Sequence, residues 1–364
     1  MSLGQDSVLA PVEEPRLSNV DRFLPLWIIA AMVFGTLLGK YVPSLPGDLS
    51  SVQVQGTSVP IAIGLLVMMY PVLAKVRYDR VGETLSDRRL LLSSLVLNWV
   101  VGPAVMFGLA WLLLPNLPQY RTGLILVGLA RCIAMVLIWN DLACGNREGA
   151  AVLVALNSLF QIFAYAVLGW FYLVWFPRFL GLPTATVHFS VALTAISVLI
   201  FLGIPLIAGY LSRKFGERSK GREWYETRLI PFVSPFALYG LLFTIILLFA
   251  LQGERISARP LDVARIALPL LVYFAIMWGV GAITGLLLSI GYEKTVTLAF
   301  TAAGNNFELA IAVAIATFGA TSGQALAGVV GPLIEVPVLI ALVYVARAVR
   351  PRWPDQRSTR RSLL

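Results

Sequence analysis

The chain has 364 residues, of which 58% are apolar and 13% charged, with a mean hydropathy of +0.82; soluble domains run at about 45–50% apolar and about 25% charged. No soluble core hides that surplus, so the composition places the chain in a bilayer. A single histidine (His188) and two cysteines (Cys132, Cys144) exclude a zinc enzyme and a disulfide scaffold, and the net charge of +9 must be set against the membrane before it is read as nucleic-acid binding.

A bilayer is crossed by about 20 apolar residues as a helix, and no segment alternates as a barrel strand does. In chain order, residues 1–22 are polar and of mixed charge, without the pattern of a cleaved signal, and read as a cytoplasmic tail. Ten apolar windows follow: Phe23–Tyr41, Val59–Val76, Leu90–Leu114, Thr122–Trp139, Gly149–Phe176, Val191–Tyr210, Ile230–Leu251, Ile266–Ile290, Val296–Phe318 and Ala325–Ala346. A basic tail occupies 347–364. Between alternate sides of these spans Lys and Arg divide 21 to 6, with Arg131 alone inside a span. The positive-inside rule then puts both termini in the cytoplasm. The basic pI is topology rather than a nucleic-acid surface.

The expected fold is therefore all-α and integral to the membrane. Ten spans make two five-helix repeats, 23–176 and 177–346, and an odd number per repeat inverts one against the other. A shift of 174 residues lays Gly128–Cys132 on Ala302–Asn306 and Asn157–Gln161 on Gly331–Glu335. Spans four and nine, equivalent under that shift, both carry polar residues near their middles. Gly281 and Gly285 in span eight suit close helix packing.

Arg131 lies about nine residues from either end of span four, at mid-bilayer depth, where a guanidinium is costly and marks function or a buried ion pair. In span nine, Gly304-Asn305-Asn306 is poor helix material. Unwound backbone is tolerated at that depth only against protein or water, so span nine reads as two half-helices. The second starts near Asn306, with Glu308 in its first turn, where the helix dipole favours a carboxylate. A matching break in span four puts Cys132 at a half-helix start beside Arg131, surroundings that suit an anionic sulfur. The two breaks are expected to cross, gathering Arg131, Cys132, Asn305, Asn306 and Glu308. Glu335, between Pro332 and Pro337 in span ten, and its counterpart Gln161 in span five are further candidates. Cys144, 12 residues beyond Cys132, sits at the cytoplasmic mouth, too far along a helix for a local disulfide. No nucleotide-binding motif occurs, so transport runs on ion gradients, with no cofactor and no ATPase partner implied.

The segments Gly128-Leu-Ala-Arg-Cys-Ile-Ala-Met-Val-Leu-Ile-Trp-Asn-Asp-Leu-Ala143 and Phe300-Thr-Ala-Ala-Gly-Asn-Asn-Phe-Glu-Leu-Ala-Ile-Ala-Val-Ala314 resemble the arsenite permeases of the arsenical-resistance family, in the bile acid/arsenite/riboflavin transporter superfamily. The resemblance extends over about residues 23–346. It implies a plasma-membrane (inner-membrane) antiporter that exports arsenite, and antimonite in some members, on the proton-motive force. The family's functional cysteine falls on Cys132 and its functional glutamate on Glu308; a polar or basic residue is expected where Cys144 stands. The chemistry agrees: trivalent arsenic is soft and selects thiolate, while one thiol, unlike three, lets it go again. Glu308 is the expected proton carrier, with Glu335 a second candidate. The alternative is a sodium-coupled organic-anion symporter of the bile-acid type, in which Asn305, Asn306 and Glu308 would hold sodium through oxygen; such a site has no need of Cys132.

Overall fold

The computed structural model describes residues 23–353 apart from 43, 52, 55–56, 77–86, 134, 184–188, 259 and 320. The N-terminal tail, the chain from 354 onward, and Arg77, Arg80 and His188 lie outside the described residues. The helices are α1 (Leu24–Tyr41), α2 (Leu45–Ser51), α3 (Val59–Ala74), α4 (Arg88–Leu113), α5 (Pro118–Leu129), α6 (Met135–Leu142) and α7 (Arg147–Phe179). They continue as α8 (Val191–Lys220), α9 (Arg222–Leu251), α10 (Pro260–Leu287), α11 (Tyr292–Ala303), α12 (Phe307–Phe318) and α13 (Gly323–Val349).

Six of these, α4, α7, α8, α9, α10 and α13, are long and apolar enough to cross a membrane, and α1, α3 and α12 are shorter apolar helices. Large apolar side chains face outward, Phe163 at 75% and Leu287 at 80% exposure among them. Water does not tolerate so continuous an apolar exterior; the chain is a multi-pass integral membrane protein. One departure from helix precedes α3. Strands β1 (Gln53–Val54) and β2 (Thr57–Ser58) pair antiparallel, Gln53 with Ser58 and Val54 with Thr57. Strands of two residues are too short to show alternation in sequence.

Four long helices contain one π-turn each: Leu97–Val101, Phe171–Trp175, Leu199–Gly203 and Tyr225–Leu229. Each is followed two residues later by proline, at 103, 177, 205 and 231. Proline has no N–H and its ring crowds the preceding turn. The residue before it accordingly donates five back instead of four, as Gly102 does to the Leu97 carbonyl and Ile204 to that of Leu199. The helices widen at these points and continue.

Two edges differ from expectation. The loop expected between spans six and seven is helical on both sides of Gly221, whose φ of +84° only glycine adopts freely. The last helix runs past Arg347 to Val349 and into a 3-10 turn, Arg350–Arg352, so helix replaces the start of the expected tail.

α1, α3 and α9 pack together with the C-terminal part of α8, while α4, α5, α10, α11 and α13 form a second group. Within the first, Gly35 and Gly39 of α1 lie so close to α9 that a Cβ on either would strike the carbonyl oxygens of Ile246 and Ala250. Within the second, Gly281 and Gly285 face Ala299 and Thr295, the close packing expected of them. α12 touches α13 on one side and α8 on the other, and so lies between the groups. Asp87 caps α4 through Leu90 N–H and accepts a 2.6 Å ion pair from Lys294 of α11.

Candidate functional site

Helix ends at Leu129 and resumes at Met135; it ends at Ala303 and resumes at Phe307. The two unwound segments meet as an antiparallel bridge between Arg131 and Asn305. Cys132 N–H donates to the Gly304 carbonyl at 3.2 Å, and Asn306 N–H donates to the Ala130 carbonyl at 3.0 Å. Backbone groups that a broken helix would orphan at depth thus satisfy one another. The remaining donors go to side chains: Arg131 N–H to Gln161 Oε1 at 3.0 Å, and Asn305 N–H to Glu335 Oε1 at 3.2 Å. A shift of 174 exchanges the members of each pair of bonds, the same shift that aligned the two sequences.

Gly304 is needed for this approach, since a Cβ there would stand 2.9 Å from Cys132 Cβ and 3.5 Å from its sulfur. Asn306 caps α12 by accepting Leu309 N–H, which puts Glu308 in the first turn as expected. Asn305 is 2% exposed, and neither polar atom of its side chain has a hydrogen-bond partner among the described residues. Such a buried amide is costly unless something else satisfies it.

Arg131 is fully buried and no carboxylate pairs with it among the described residues. Its guanidinium donates to the Tyr273 hydroxyl at 2.9 Å and to the carbonyls of Ala302 and Gly128, and it packs on Gly102. The buried ion pair considered for it is therefore replaced by oxygen dipoles. It points toward α4 and α10, whereas Glu308 is half-buried and faces α3, α8 and α9.

Glu308 lines a cavity of about 160 Å³ between α3, α6, α9 and α12. Lys75 and Ser234 are its other polar lining residues; Met68, Met135 and Ile138 supply much of the apolar wall. A second crevice beside Glu308, with Met69, Phe201 and Asn306, has no room for water. Cys132 is 2% exposed and does not line the 160 Å³ cavity. The crossing thus brings together the backbones of Arg131, Cys132, Asn305 and Asn306, with Glu308 in the turn that follows, but the side chains part: Asn306 and Glu308 line the crevice, Glu308 also the cavity, Arg131 turns toward α4 and α10, and Glu335 reaches the crossing through its carboxylate. Neither cysteine is in a disulfide; Cys144 follows α6 in the left-handed region, φ 57°.

Several polar partners were not singled out from the sequence. Tyr273 holds Arg131, and Thr297 donates to Asn140 at 2.7 Å while Thr301 bonds back to the Thr297 carbonyl. Thr297, Thr301 and Asn305 recur every four residues, a polar stripe legible as helix period. Tyr273 left no such signal.

Residues 62–259 match the model of the Sodium Bile acid symporter family. Over 337 residues the chain is 58% identical to the Arsenical-resistance protein Acr3 of Corynebacterium glutamicum, spanning 93% of this chain and 91% of that one. It is 32% identical to the Arsenical-resistance protein Acr3 of Alkaliphilus metalliredigens, with 97% and 99% covered, and 37% identical to an uncharacterised transporter of Synechocystis, with 93% and 92% covered. Kinship this close over nearly the full chain makes the protein a transporter rather than an enzyme: it belongs to the Acr3 arsenical-resistance proteins within the sodium bile acid symporter family.

Proposed function

We propose that this arsenical-resistance transporter exports arsenite, and antimonite as its heavier soft congener, across the cell's plasma (inner) membrane in exchange for protons. Ten spans form two inverted repeats, 23–176 and 177–346, crossing at the membrane midplane, with cytoplasmic tails at both ends. The support for the repeat is the 174-residue shift, common to sequence and hydrogen bonds; for the orientation, it is the 21-to-6 division of basic residues.

The observation carrying the proposal is a soft thiol and a carboxylate on opposite arms of one unwound crossing. Arsenite enters as the neutral trihydroxide. The Cys132 sulfur forms a bond to arsenic, one As–O bond breaks, and the departing hydroxide leaves with the thiol proton as water; hydrolysis reverses the step. Asn305, whose buried side-chain amide has no partner among the described residues, orients the remaining hydroxyls. Glu308 carries the proton: it is deprotonated as arsenite loads from the cytoplasm and is protonated from outside as arsenite leaves. Since Cys132 is closed off from the cavity, loading needs the two helix groups to part. One proton entering at 100 mV contributes about 2.3 kcal/mol, enough for a roughly 50-fold gradient.

The sodium-coupled organic-anion alternative is weakened by size, because 160 Å³ falls short of the roughly 300–1,000 Å³ of sites for drug-sized ligands. The test is arsenite uptake by everted vesicles under separately imposed proton and sodium gradients. Uptake is expected with the interior acid and to be indifferent to sodium. Dependence on sodium, or none on protons, overturns the proposal.

A further inference from the structure

The described surface carries a second, larger concavity that the transport reading leaves unused. It measures about 440 Å³ and is lined by Val67 and Tyr70 of α3, Ile204 and Ala208 of α8, and Val233 and Phe236 of α9. Its walls are apolar, it is open to the side of the helix group, and three prolines, Pro71, Pro205 and Pro235, border it or flank its lining residues. Ordinary lipid-facing helix surface is convex and holds annular lipid without preference. A groove this size has room for a long acyl chain.

The same helices end in cations. On α8 the groove face continues through Leu211 to Phe215, both exposed, with Lys214 beside it, about 9 Å beyond Ala208 at 1.5 Å per residue. On α9, Arg228, Phe232 and Phe236 recur every four residues, putting Arg228 about 12 Å beyond Phe236. Both cations are exposed, and neither has a carboxylate partner among the described residues. Lys214 is held over the Tyr210 ring at 5.7 Å. Their neighbour Arg213 is different. It is buried and matched by Glu217 at 2.7 Å and Glu226 at 2.8 Å, and it bonds the Lys75 carbonyl at 3.1 Å. Tyr70 bonds Ser212 at 3.0 Å between groove and cations. The fold therefore neutralises one cation internally and leaves Lys214 and Arg228 exposed beyond the groove on two of the helices that line it.

We infer that the α3–α8–α9 groove binds an anionic glycerophospholipid, its acyl chain against Ile204, Ala208 and Phe236 and its phosphate between Lys214 and Arg228. The inference needs only the membrane reading and is independent of what the carrier transports. Native mass spectrometry of the full chain, titrated with dioleoyl phosphatidylglycerol or dioleoyl phosphatidylcholine, tests it. Phosphatidylglycerol is expected to be retained preferentially. With about fivefold from each surface cation, Lys214→Ala with Arg228→Ala should weaken it about 25-fold and weaken the zwitterionic phosphatidylcholine far less. These positions are exposed, so the double variant disturbs no core. Ala208→Phe, which fills the groove, should weaken both lipids. Lys220→Ala, off the stripe, should do neither, and soluble glycerol phosphate should not compete. Equal retention of the two lipids, an equal loss in Lys220→Ala, or competition by glycerol phosphate overturns the inference.

Discussion

Cys132 and Cys144 differ in what surrounds the sulfur: one is buried against Gly304 in the crossing, the other half-buried after α6. Serine nearly matches cysteine in size but offers a hard hydroxyl. Cys132→Ser is expected to abolish arsenite uptake by everted vesicles while membrane insertion survives, and Cys144→Ser to transport as the parent does; undiminished uptake in Cys132→Ser would remove thiol coordination. The two glutamates separate on equally local grounds. Gln161 accepts Arg131 N–H with a neutral amide oxygen, so Glu335→Gln can accept Asn305 N–H in the same way and should lose little. Glu308→Gln should abolish accumulation driven by a proton gradient while arsenite still protects Cys132 from a thiol reagent. Coupling lost in Glu335→Gln but retained in Glu308→Gln would move the proton site to α13. The positions of Cys132 and Glu308 about the crossing and the Gln161–Glu335 equivalence are legible because polar residues in long apolar spans are conspicuous. The direction Arg131 takes is not, because its Tyr273 partner lies 142 positions away with nothing in sequence to tie the two.

At the scale of elements, the two breaks differ in how they are encoded. Gly304-Asn305-Asn306 disfavours helix by composition, so the interruption between α11 and α12 could be read directly. Leu129-Ala-Arg-Cys-Ile133 contains good helix formers, and its interruption was placed only by the 174-residue shift; the unwinding there is stabilised by bonds to the other segment. The π-turns show the same division: each proline was visible, but whether a helix kinks or widens depends on packing. Gly304 tests the crossing as a unit. Gly304→Ala forces a methyl to 2.9 Å from Cys132 Cβ and 3.4 Å from the Phe300 carbonyl oxygen. Overpacking of this kind costs about 1–3 kcal/mol, so a lower melting temperature and impaired transport are expected with Cys132 and Glu308 intact. A parental melting temperature and rate would show that the segments have slack.

At the scale of the whole molecule, the pair Asp87–Lys294 ties together the starts of α4 and α11. Burial pushes the Asp87 carboxyl upward, but the Lys294 ammonium and the Leu90 N–H outweigh it and hold it below its ordinary 3.8. A depressed folded-state value means stability present above the unfolded value and lost as pH falls through the folded one. Asn caps helices as well as Asp does, whereas Ala does not. Asp87→Asn should therefore melt slightly below the parent at neutral pH and converge with it at acid pH. Asp87→Ala should stay lower, by about 1 kcal/mol, throughout. A gap between parent and Asp87→Asn that persists below the carboxylate range would show that the ion pair is not its source.

The hydrogen bonds at the crossing resemble those of a two-fold homodimer, in which each group occurs twice. Here the frame occurs twice and the chemistry once: Ala130 answers Gly304, Arg131 answers Asn305, Cys132 answers Asn306, and Gln161 answers Glu335. A frame with truly equal halves would carry the same side chain on both arms. On the proposed reading, the thiol on one arm and the unmatched carboxylate on the other divide the work between substrate and proton. The proton gradient then sets which way cargo moves, and the asymmetry between corresponding positions supplies the coupling.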